Sequence, residues 1–145
     1  MIVVAVIGIL AAIAVPKFSE LVRKSKEGQT KGNLGRLRSA INIYYGNNEG
    51  WYPSDYWNSN SSVLSSSLTP NYIDKIPPYN PANYHSSVNT VFSHQANSTG
   101  HSHDGGGWGY DGVYVDPSYG QDSQWGAIWV FCTHTDAKGT NWSAY

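Results

Sequence analysis

The feature that most limits what this chain can fold into is the uninterrupted apolar stretch at its N-terminus. From Met1 to Val15 no side chain is charged or polar, and Pro16 follows. A helix that is apolar on every side belongs in lipid or in a protein interior rather than on a water-exposed surface. The remainder is polar enough to bring the mean hydropathy of the whole chain to -0.41. The surroundings of this stretch therefore decide what the protein can be.

Three interpretations of the stretch are open from the residues alone. A membrane-spanning helix needs about 20 apolar residues, so the stretch is somewhat short for one. A secretory signal needs a basic region in front of its apolar core, and nothing basic precedes Ile2, although Ala12-Ile13-Ala14 fits a cleavage site. The third interpretation is a helix that packs against copies of itself. If the helix continues through Pro16, the missing N–H should kink or loosen it there, and Gly8 should weaken it further.

The N-terminal helix of type IV pilins and of type II secretion pseudopilins resembles the segment IVVAVIGILAAIAVPKFSELVRKSK at residues 2–26. The shared features are a run of Val, Ile and Ala, a glycine within it, a closing proline and an amphipathic continuation. This resemblance covers about the first 45 residues. The family begins with a basic leader, a cleavage site, a phenylalanine and a glutamate, all of which would precede Met1. Processing, N-methylation and the role of that glutamate are therefore not carried over to any residue here.

The resemblance implies an α+β, pilin-like fold, in which a long N-terminal helix packs on a small globular domain with an antiparallel sheet. Residues 1–27 would form a protruding assembly helix and residues 28–145 the globular head. The apolar spacing of Leu34, Leu37 and Ile41 predicts that the helix continues to about residue 45. Gly28 and Gly32 leave two separate helices as the alternative.

Two further segments of the chain match family patterns. Gly50-Trp51-Tyr52-Pro53 is similar to the G-x-YP segment that follows the long helix in secretion-type pilins, and residues 68–77 resemble the connection into the sheet. Between them, residues 58–68 suggest a short helix or turn. A long surface loop is predicted at 78–107, followed by strands within 108–115 and 127–133 and a turn at 116–120.

The resemblance also implies a role as subunit of a helical filament whose apolar core is built from the first fifteen residues. Two residues are expected to kink or loosen the helix, Gly8 and Pro16. The side chains expected to pack in the filament core are Ile2, Val3, Val4, Val6, Ile7, Ile9, Leu10, Ile13 and Val15.

The implied life cycle begins in the inner membrane and ends in an extracellular filament, a homopolymer of identical subunits. The implied partners are a prepilin peptidase, an assembly ATPase and a platform protein. Two alternatives remain open. One is the major pseudopilin of a type II secretion system, in a periplasmic pseudopilus. The other, from a different class, is a membrane-anchored module that binds carbohydrate or metal.

Composition and motifs argue against a nucleic-acid-binding protein and against an enzyme. The net charge is -1 and 13% of residues are charged, whereas a nucleic-acid surface needs clustered basic residues. The sequence has no G-x-S-x-G motif and no P-loop. Gly105-Gly106-Gly107 precedes a predicted strand rather than a helix, so it is not a phosphate-binding loop. We therefore predict no enzymatic activity, and a motor for assembly must come from a partner.

Candidate metal ligands occur in the second half of the chain, but their spacing is irregular. Histidine-rich tracts can bind zinc or copper, and such a tract is formed by His85, His94, His101 and His103, with Asp104 next to it. Oxygen donors for calcium are offered by Asp104, Asp111, Asp116, Asp122 and Asp136. Pseudopilins carry a calcium site near their C-terminal loops, but its ligands cannot be matched residue by residue here. We assign no metal ligand and no cofactor, with calcium as the one candidate ion.

The only cysteine, Cys132, excludes an intramolecular disulfide. It lies in the apolar run AIWVFC, which predicts a buried and inert thiol. Many pilins close a C-terminal loop with a cysteine pair, so this chain must hold the same region by other contacts.

The first testable prediction concerns the start of the natural subunit. If Met1 were a terminus inside a filament core, its ammonium group would be buried without a partner, at a cost of several kcal/mol. No acidic residue within the first fifteen could neutralise it. We expect the natural subunit to carry additional residues before Met1. Intact mass spectrometry of native filaments checks this, and the mass of residues 1–145 alone would contradict it.

Overall fold

The computed structural model of the chain describes residues 1–54, 63–80, 84–94, 104–114 and 124–145. Two helices lie in the first half, α1 (Ile2–Asn47) and α2 (Val63–Leu68). Three short strands follow, β1 (Val91–His94), β2 (Trp108–Asp111) and β3 (Ile128–Val130). A 3-10 turn at Trp142–Ala144 lies near the C-terminus. The predicted α+β, pilin-like class, with a long N-terminal helix packed on a small sheet, is confirmed.

The first helix is a single element, as predicted, and the alternative of two helices is wrong. It passes through Pro16 without ending and also contains Gly28 and Gly32. Asn48 closes it twice, because its backbone N–H and its side-chain amide both donate to the carbonyl of Tyr44, at 3.0 and 2.8 Å. A loosening at Gly8 and Pro16, and a division into units at residue 27, stay predictions.

The sheet has the order β1-β2-β3 and is mixed rather than purely antiparallel. β2 and β3 form the predicted antiparallel pair, with Gly109 opposite Trp129. β1 lies parallel to β2, with Val91 opposite Trp108. β1 also falls inside the segment predicted to be a long surface loop, and that prediction is wrong for residues 91–94. A four-residue strand among Asn, Ser and His has no periodicity of its own, so its pairing with β2 decides its conformation.

The core forms where one face of α1 meets the sheet and α2. Leu34, Leu37 and Ile41 share that face because they are three and four residues apart, and they are 3%, 0% and 2% exposed. They belong to a buried apolar cluster that also contains Ala40, Leu64, Leu68, Ile73, Ile76, Tyr79, Val91, Trp108, Tyr110, Ile128, Val130, Cys132 and Trp142. The second half of α1 is therefore the wall on which the head is built.

Buried aromatic side chains in this core keep their polar groups bonded to the connecting loops. The indole N–H of Trp108 donates to the carbonyl of Pro77 at 2.8 Å. The hydroxyl of Tyr110 donates to the carbonyl of Pro53 at 2.6 Å. Such bonds remove the cost of burying a polar atom while the ring fills the core. The loops after α1 and after α2 are fixed to β2 in this way.

The C-terminal segment returns over the head, as predicted, and is fastened to α1 by an ion pair. The ammonium of Lys31 lies 2.7 Å from Oδ2 of Asp136 and 2.7 Å from the hydroxyl of Tyr145, which itself donates to Oδ2 at 2.7 Å. Oδ1 of Asp136 accepts the backbone N–H groups of Lys138 and Thr140, both at 2.9 Å. The hydrogen bond from Lys31, together with those from Tyr145 and these N–H groups, outweighs desolvation and holds the pKa of Asp136 well below its usual range.

The second prediction follows from this ion pair. Asp136→Asn keeps an acceptor for the two backbone N–H groups but removes the charge opposite Lys31, so it should lower the free energy of unfolding at pH 7 by about 1.5–3 kcal/mol. A carboxyl whose pKa is lower in the folded chain than in the unfolded chain stabilises the fold. For Asp136 this stabilisation is complete above the ordinary pKa of 3.8, and it is lost as the pH falls through the folded-state pKa. The difference between variant and wild type should therefore shrink below about pH 4.

Denaturant unfolding of the full chain in detergent micelles, followed by tryptophan fluorescence, measures this difference. The matched control is Glu20→Gln, which removes the exposed pair between Glu20 and Lys24 at 2.8 Å. That pair is exposed to solvent and should contribute little to stability, so the control variant should unfold almost as the wild type does. A loss for Asp136→Asn that is as large at pH 3 as at pH 7 would contradict the proposed charge contribution.

Candidate functional site: an exposed apolar helix

The candidate functional surface is the first half of α1, residues 2–22, here called the N-terminal arm. Every residue of the arm is exposed. The exposed fraction ranges from 50% at Val6 to 81% at Ile2 among the predicted core-packing residues, which are Ile2, Val3, Val4, Val6, Ile7, Ile9, Leu10, Ile13 and Val15. The structure thus places all nine on one continuous free segment, while their packing in a filament remains a prediction.

The arm is exposed because the head begins only further along α1. The first buried residue of the helix is Glu27. By length and composition α1 includes a segment able to cross a membrane, and none of that segment is buried within the chain. Isolated helices are only marginally stable in water, and most helices gain their stability from packing. The arm must therefore find its packing partners outside the single chain.

The side chains around the arm differ in size from one side to the other. Successive residues of a helix are about 100° apart around its axis. One side of the arm therefore carries Ile2, Val6, Ile9 and Ile13. Together with the other large apolar side chains, they cover roughly two thirds of the circumference. The remaining side carries Ala5, Gly8 and Ala12, spaced three and four residues apart. A Cβ atom added at Gly8 would meet nothing within 4 Å. Small residues of this kind allow a neighbouring helix to approach closely.

Charged side chains mark the end of the apolar part. The ammonium of Lys24 lies 2.8 Å from the carboxylate of Glu20, one helical turn before it. Arg23 and Glu27 form a second pair at 3.8 Å, and Glu27 also accepts the backbone N–H of Ala137 in the head at 3.1 Å. α1 therefore changes within two turns from a segment suited to lipid or protein to one suited to water.

A second arrangement lies in the head. His85, Asp104, Cys132 and His134 each offer one metal-ligating atom, and these four atoms all lie within 4.8 Å of one another. Asp104 Oδ1 is 2.9 Å from Nε2 of His85 and 3.1 Å from Nδ1 of His134. The sulfur of Cys132 is 3.4 Å from the same Nδ1 atom. The structure thus brings together three segments that are far apart in sequence.

Only two of the candidate ligands considered from the sequence, His85 and Asp104, belong to this group. His94 lies in β1, Asp111 accepts the N–H of Val113, and Asp136 is paired with Lys31. The other candidates lie outside the described residues, namely His101, His103, Asp116 and Asp122.

Sequence reasoning missed Cys132 and His134 as ligands. The expectation of a buried thiol is confirmed, since Cys132 is 0% exposed. The signal that could have pointed to a metal was the Cys-x-His spacing directly after a predicted strand, because in an extended segment residues two apart face the same side.

The exposed apolar arm on a small α+β head is a pilin-like arrangement. Comparison with known proteins agrees. The chain is 43% identical to the type IV major pilin protein PilA of Myxococcus xanthus (strain DK1622) over 58 residues, which are 40% of this chain and 26% of that protein. It is 40% identical to the fimbrial protein EcpC of Eikenella corrodens over 55 residues, or 38% of this chain and 35% of that one.

The matched stretch thus spans between a quarter and about a third of the length of these curated relatives. No protein-family model matches the chain, and no solved structure matches it. The predicted resemblance to type IV pilins is confirmed at this level. Both relatives are named as filament proteins and neither as an enzyme.

Proposed function

We propose that this chain is a structural subunit of an extracellular type IV pilus-like filament and that it polymerises through the N-terminal arm. The observation that carries the proposal is the exposure of the arm along its whole length. Twelve large apolar side chains are exposed there in the single chain, namely the nine predicted core-packing residues together with Phe18, Leu21 and Val22. Such a surface is unstable in water, and the question is what covers it.

The energy involved is large compared with ordinary surface effects. Burying an apolar side chain of this size stabilises by about 1.5–3 kcal/mol relative to leaving it in water. Over all of these side chains this excludes a dispersed monomer in aqueous solution. Lipid solvates the same side chains nearly as well as a protein interior does, so we propose that the arm lies in the inner membrane before assembly.

The distribution of side chains around the arm favours a polymer over a dimer. One partner helix covers only one side of a helix, but large apolar side chains surround about two thirds of this one. Several neighbouring arms are needed to cover them all. The side that carries Ala5, Gly8 and Ala12 would accept the closest neighbour, because small residues let helix backbones approach. The arms of many subunits would form the filament core, and the heads its polar surface.

Transfer of the arm from bilayer to filament gains little from the hydrophobic effect, so close packing and an energy source must drive assembly. The chain has no nucleotide-binding motif. We therefore propose an assembly ATPase, a platform protein and a prepilin peptidase as partners. The pilin and fimbrial names of the two relatives support a filament subunit, with a periplasmic pseudopilus as the alternative.

The third prediction tests packing of the arm separately from its solubility in lipid. Ile9→Ala combined with Ile13→Ala keeps the arm apolar but removes two side chains from one side. In a packed core each change costs about 2–5 kcal/mol. Since about 1.4 kcal/mol is a factor of ten, filaments should become at least tenfold fewer. Electron microscopy counts the filaments, and fractionation shows whether the subunit remains in the membrane.

The matched control is Ile43→Ala. Ile43 lies on α1 beyond the arm and is 55% exposed, so the same chemical change there should leave filaments unchanged. Normal filaments from the double variant would show that arm packing is not what holds them. A wild-type chain that stays monomeric in the membrane under assembling conditions would instead favour the membrane-anchored binding module.

A further inference from the structure

The head contains a group of side chains that the filament role does not use. His85 precedes β1, Asp104 precedes β2, and Cys132 and His134 follow β3. We propose that these four side chains form a structural zinc site that ties the three strand ends together. The proposal does not depend on polymerisation, because all four residues belong to a single head.

The backbone around β2 is shaped to admit these side chains. Gly106 has a φ of +65°, and a Cβ atom added to it would lie 2.8 Å from Cγ of His85. Its N–H donates to the carbonyl of Phe131 at 3.0 Å, and the N–H of Phe131 donates to the carbonyl of Gly107 at 3.0 Å. Only glycine at 106 lets the imidazole of His85 lie against the chain. The segments before β2 and after β3 are thus held side by side at the proposed site.

Hydrogen bonds within the group cannot serve the carboxylate of Asp104 and the thiol of Cys132 through the same nitrogen of His134. Nδ1 of His134 lies 3.1 Å from the carboxylate of Asp104 and 3.4 Å from the sulfur of Cys132. An imidazole nitrogen that donates its proton to the carboxylate cannot also accept one from the thiol. Oδ1 of Asp104 also faces Nε2 of His85 at 2.9 Å. A cation at the centre would satisfy all four groups at once.

A separate observation concerns the hydroxyl of Tyr79. This side chain is 0% exposed, and its oxygen has no hydrogen-bond partner of ordinary geometry among the described residues. Its neighbour is the sulfur of Cys132. A neutral thiol is a weak acceptor, whereas a metal-bound thiolate is a strong one. The Tyr79 hydroxyl is therefore placed to support a thiolate ligand from outside the coordination shell.

The charges of the four groups also suit a divalent cation. Binding of Zn²⁺ would release the thiol proton to solvent and leave two neutral imidazoles, one carboxylate and one thiolate as ligands, with a net charge of zero.

The ligand types select zinc among the common ions. Zinc takes four ligands in a tetrahedron from Cys, His and Asp, at about 2.0–2.3 Å, so the ligand atoms lie roughly 3.3–3.7 Å apart. The four atoms here lie within 4.8 Å of one another, so binding would require the side chains to rotate until the atoms reach that spacing. Calcium requires six to eight oxygen ligands and does not suit a thiolate and two imidazoles. Four protein ligands leave no open position, which indicates a structural rather than a catalytic site.

The exposure of the group allows a metal to enter while part of it stays dry. Cys132 is fully buried, whereas the side chains of His85, His134 and Asp104 are 18%, 33% and 41% exposed. Tyr84 stacks on the outer face of His134, with ring centroids 4.0 Å apart. The site would cross-link residues 85, 104, 132 and 134, the kind of long loop closure that a disulfide provides in other small extracellular domains.

The fourth prediction uses the full chain in detergent micelles, titrated with Zn²⁺ and, as a spectroscopic substitute, Co²⁺. We expect one equivalent to bind and the melting temperature of the head to rise. Because the chain has a single cysteine, a thiolate-to-cobalt charge-transfer band reports on Cys132 alone. Cys132→Ser should abolish the band, and His134→Ala should weaken zinc binding on the order of 100-fold or more, beyond the roughly 10–100-fold typical of outer-shell changes.

Two further variants separate the site from loss of folding and from the other histidines. Tyr79→Phe should weaken zinc binding by about 10–100-fold while leaving the metal-free melting temperature unchanged or higher, because it removes only an unpartnered hydroxyl. The matched control, His101→Ala combined with His103→Ala, should leave zinc affinity unchanged. The proposal is overturned if wild-type protein shows no charge-transfer band with cobalt, or if zinc binds equally well after Cys132→Ser.

Discussion

The whole structure depends on one helix having to serve two different environments. The arm of α1 is apolar on nearly every side and is exposed along its whole length, whereas the part from Glu27 onward is the wall of a folded head. Water does not suit both halves of this helix equally. The helix is nevertheless continuous, and continuity fixes the direction of the arm relative to the head. Under the proposed function, the arm would lie in lipid or among other arms without any refolding of the head.

The attachment of the head to α1 changes character along the helix. Nearest the arm the contacts are polar. The hydroxyl of Thr30 donates to the carbonyl of Asn80 at 2.9 Å. The side-chain amide of Asn33 donates to the carbonyl of Pro78 at 2.9 Å. Further along they are apolar, through Leu34, Leu37 and Ile41. Hydrogen bonds are directional and apolar packing is not, so the polar part fixes the register of the loops on the helix while the apolar part supplies most of the stabilisation.

Aromatic side chains fill the places where this small head lacks regular structure. Trp125 packs edge-on against Trp51, Tyr52 and Tyr114, with ring centroids between 4.9 and 5.5 Å apart. Tyr52 fits because Gly126, at a φ of +84°, leaves space that a Cβ atom would occupy at 2.6 Å from the ring. At the other end of the sheet the chain segments are held together by the group formed by His85, Asp104, Cys132 and His134. Aromatic rings thus hold the chain segments together at one end of this short sheet, and side chains able to bind a metal hold them together at the other. In larger sheets, longer strands provide these contacts.

The sequence alone determined the parts of this protein whose signal is local and periodic. The apolar arm, the continuous helix with its face of Leu34, Leu37 and Ile41, and the pairing of β2 with β3 all follow from residue type and spacing. Tertiary structure decided what depends on residues far apart in the chain. β1 exists because β2 offers it hydrogen bonds, and Lys31 meets Asp136 because the C-terminal segment folds back onto the helix. His134 follows Cys132 by only two residues, but only the closure of the head brings His85 and Asp104 to the sulfur of Cys132, since such distances are set by packing and not by spacing.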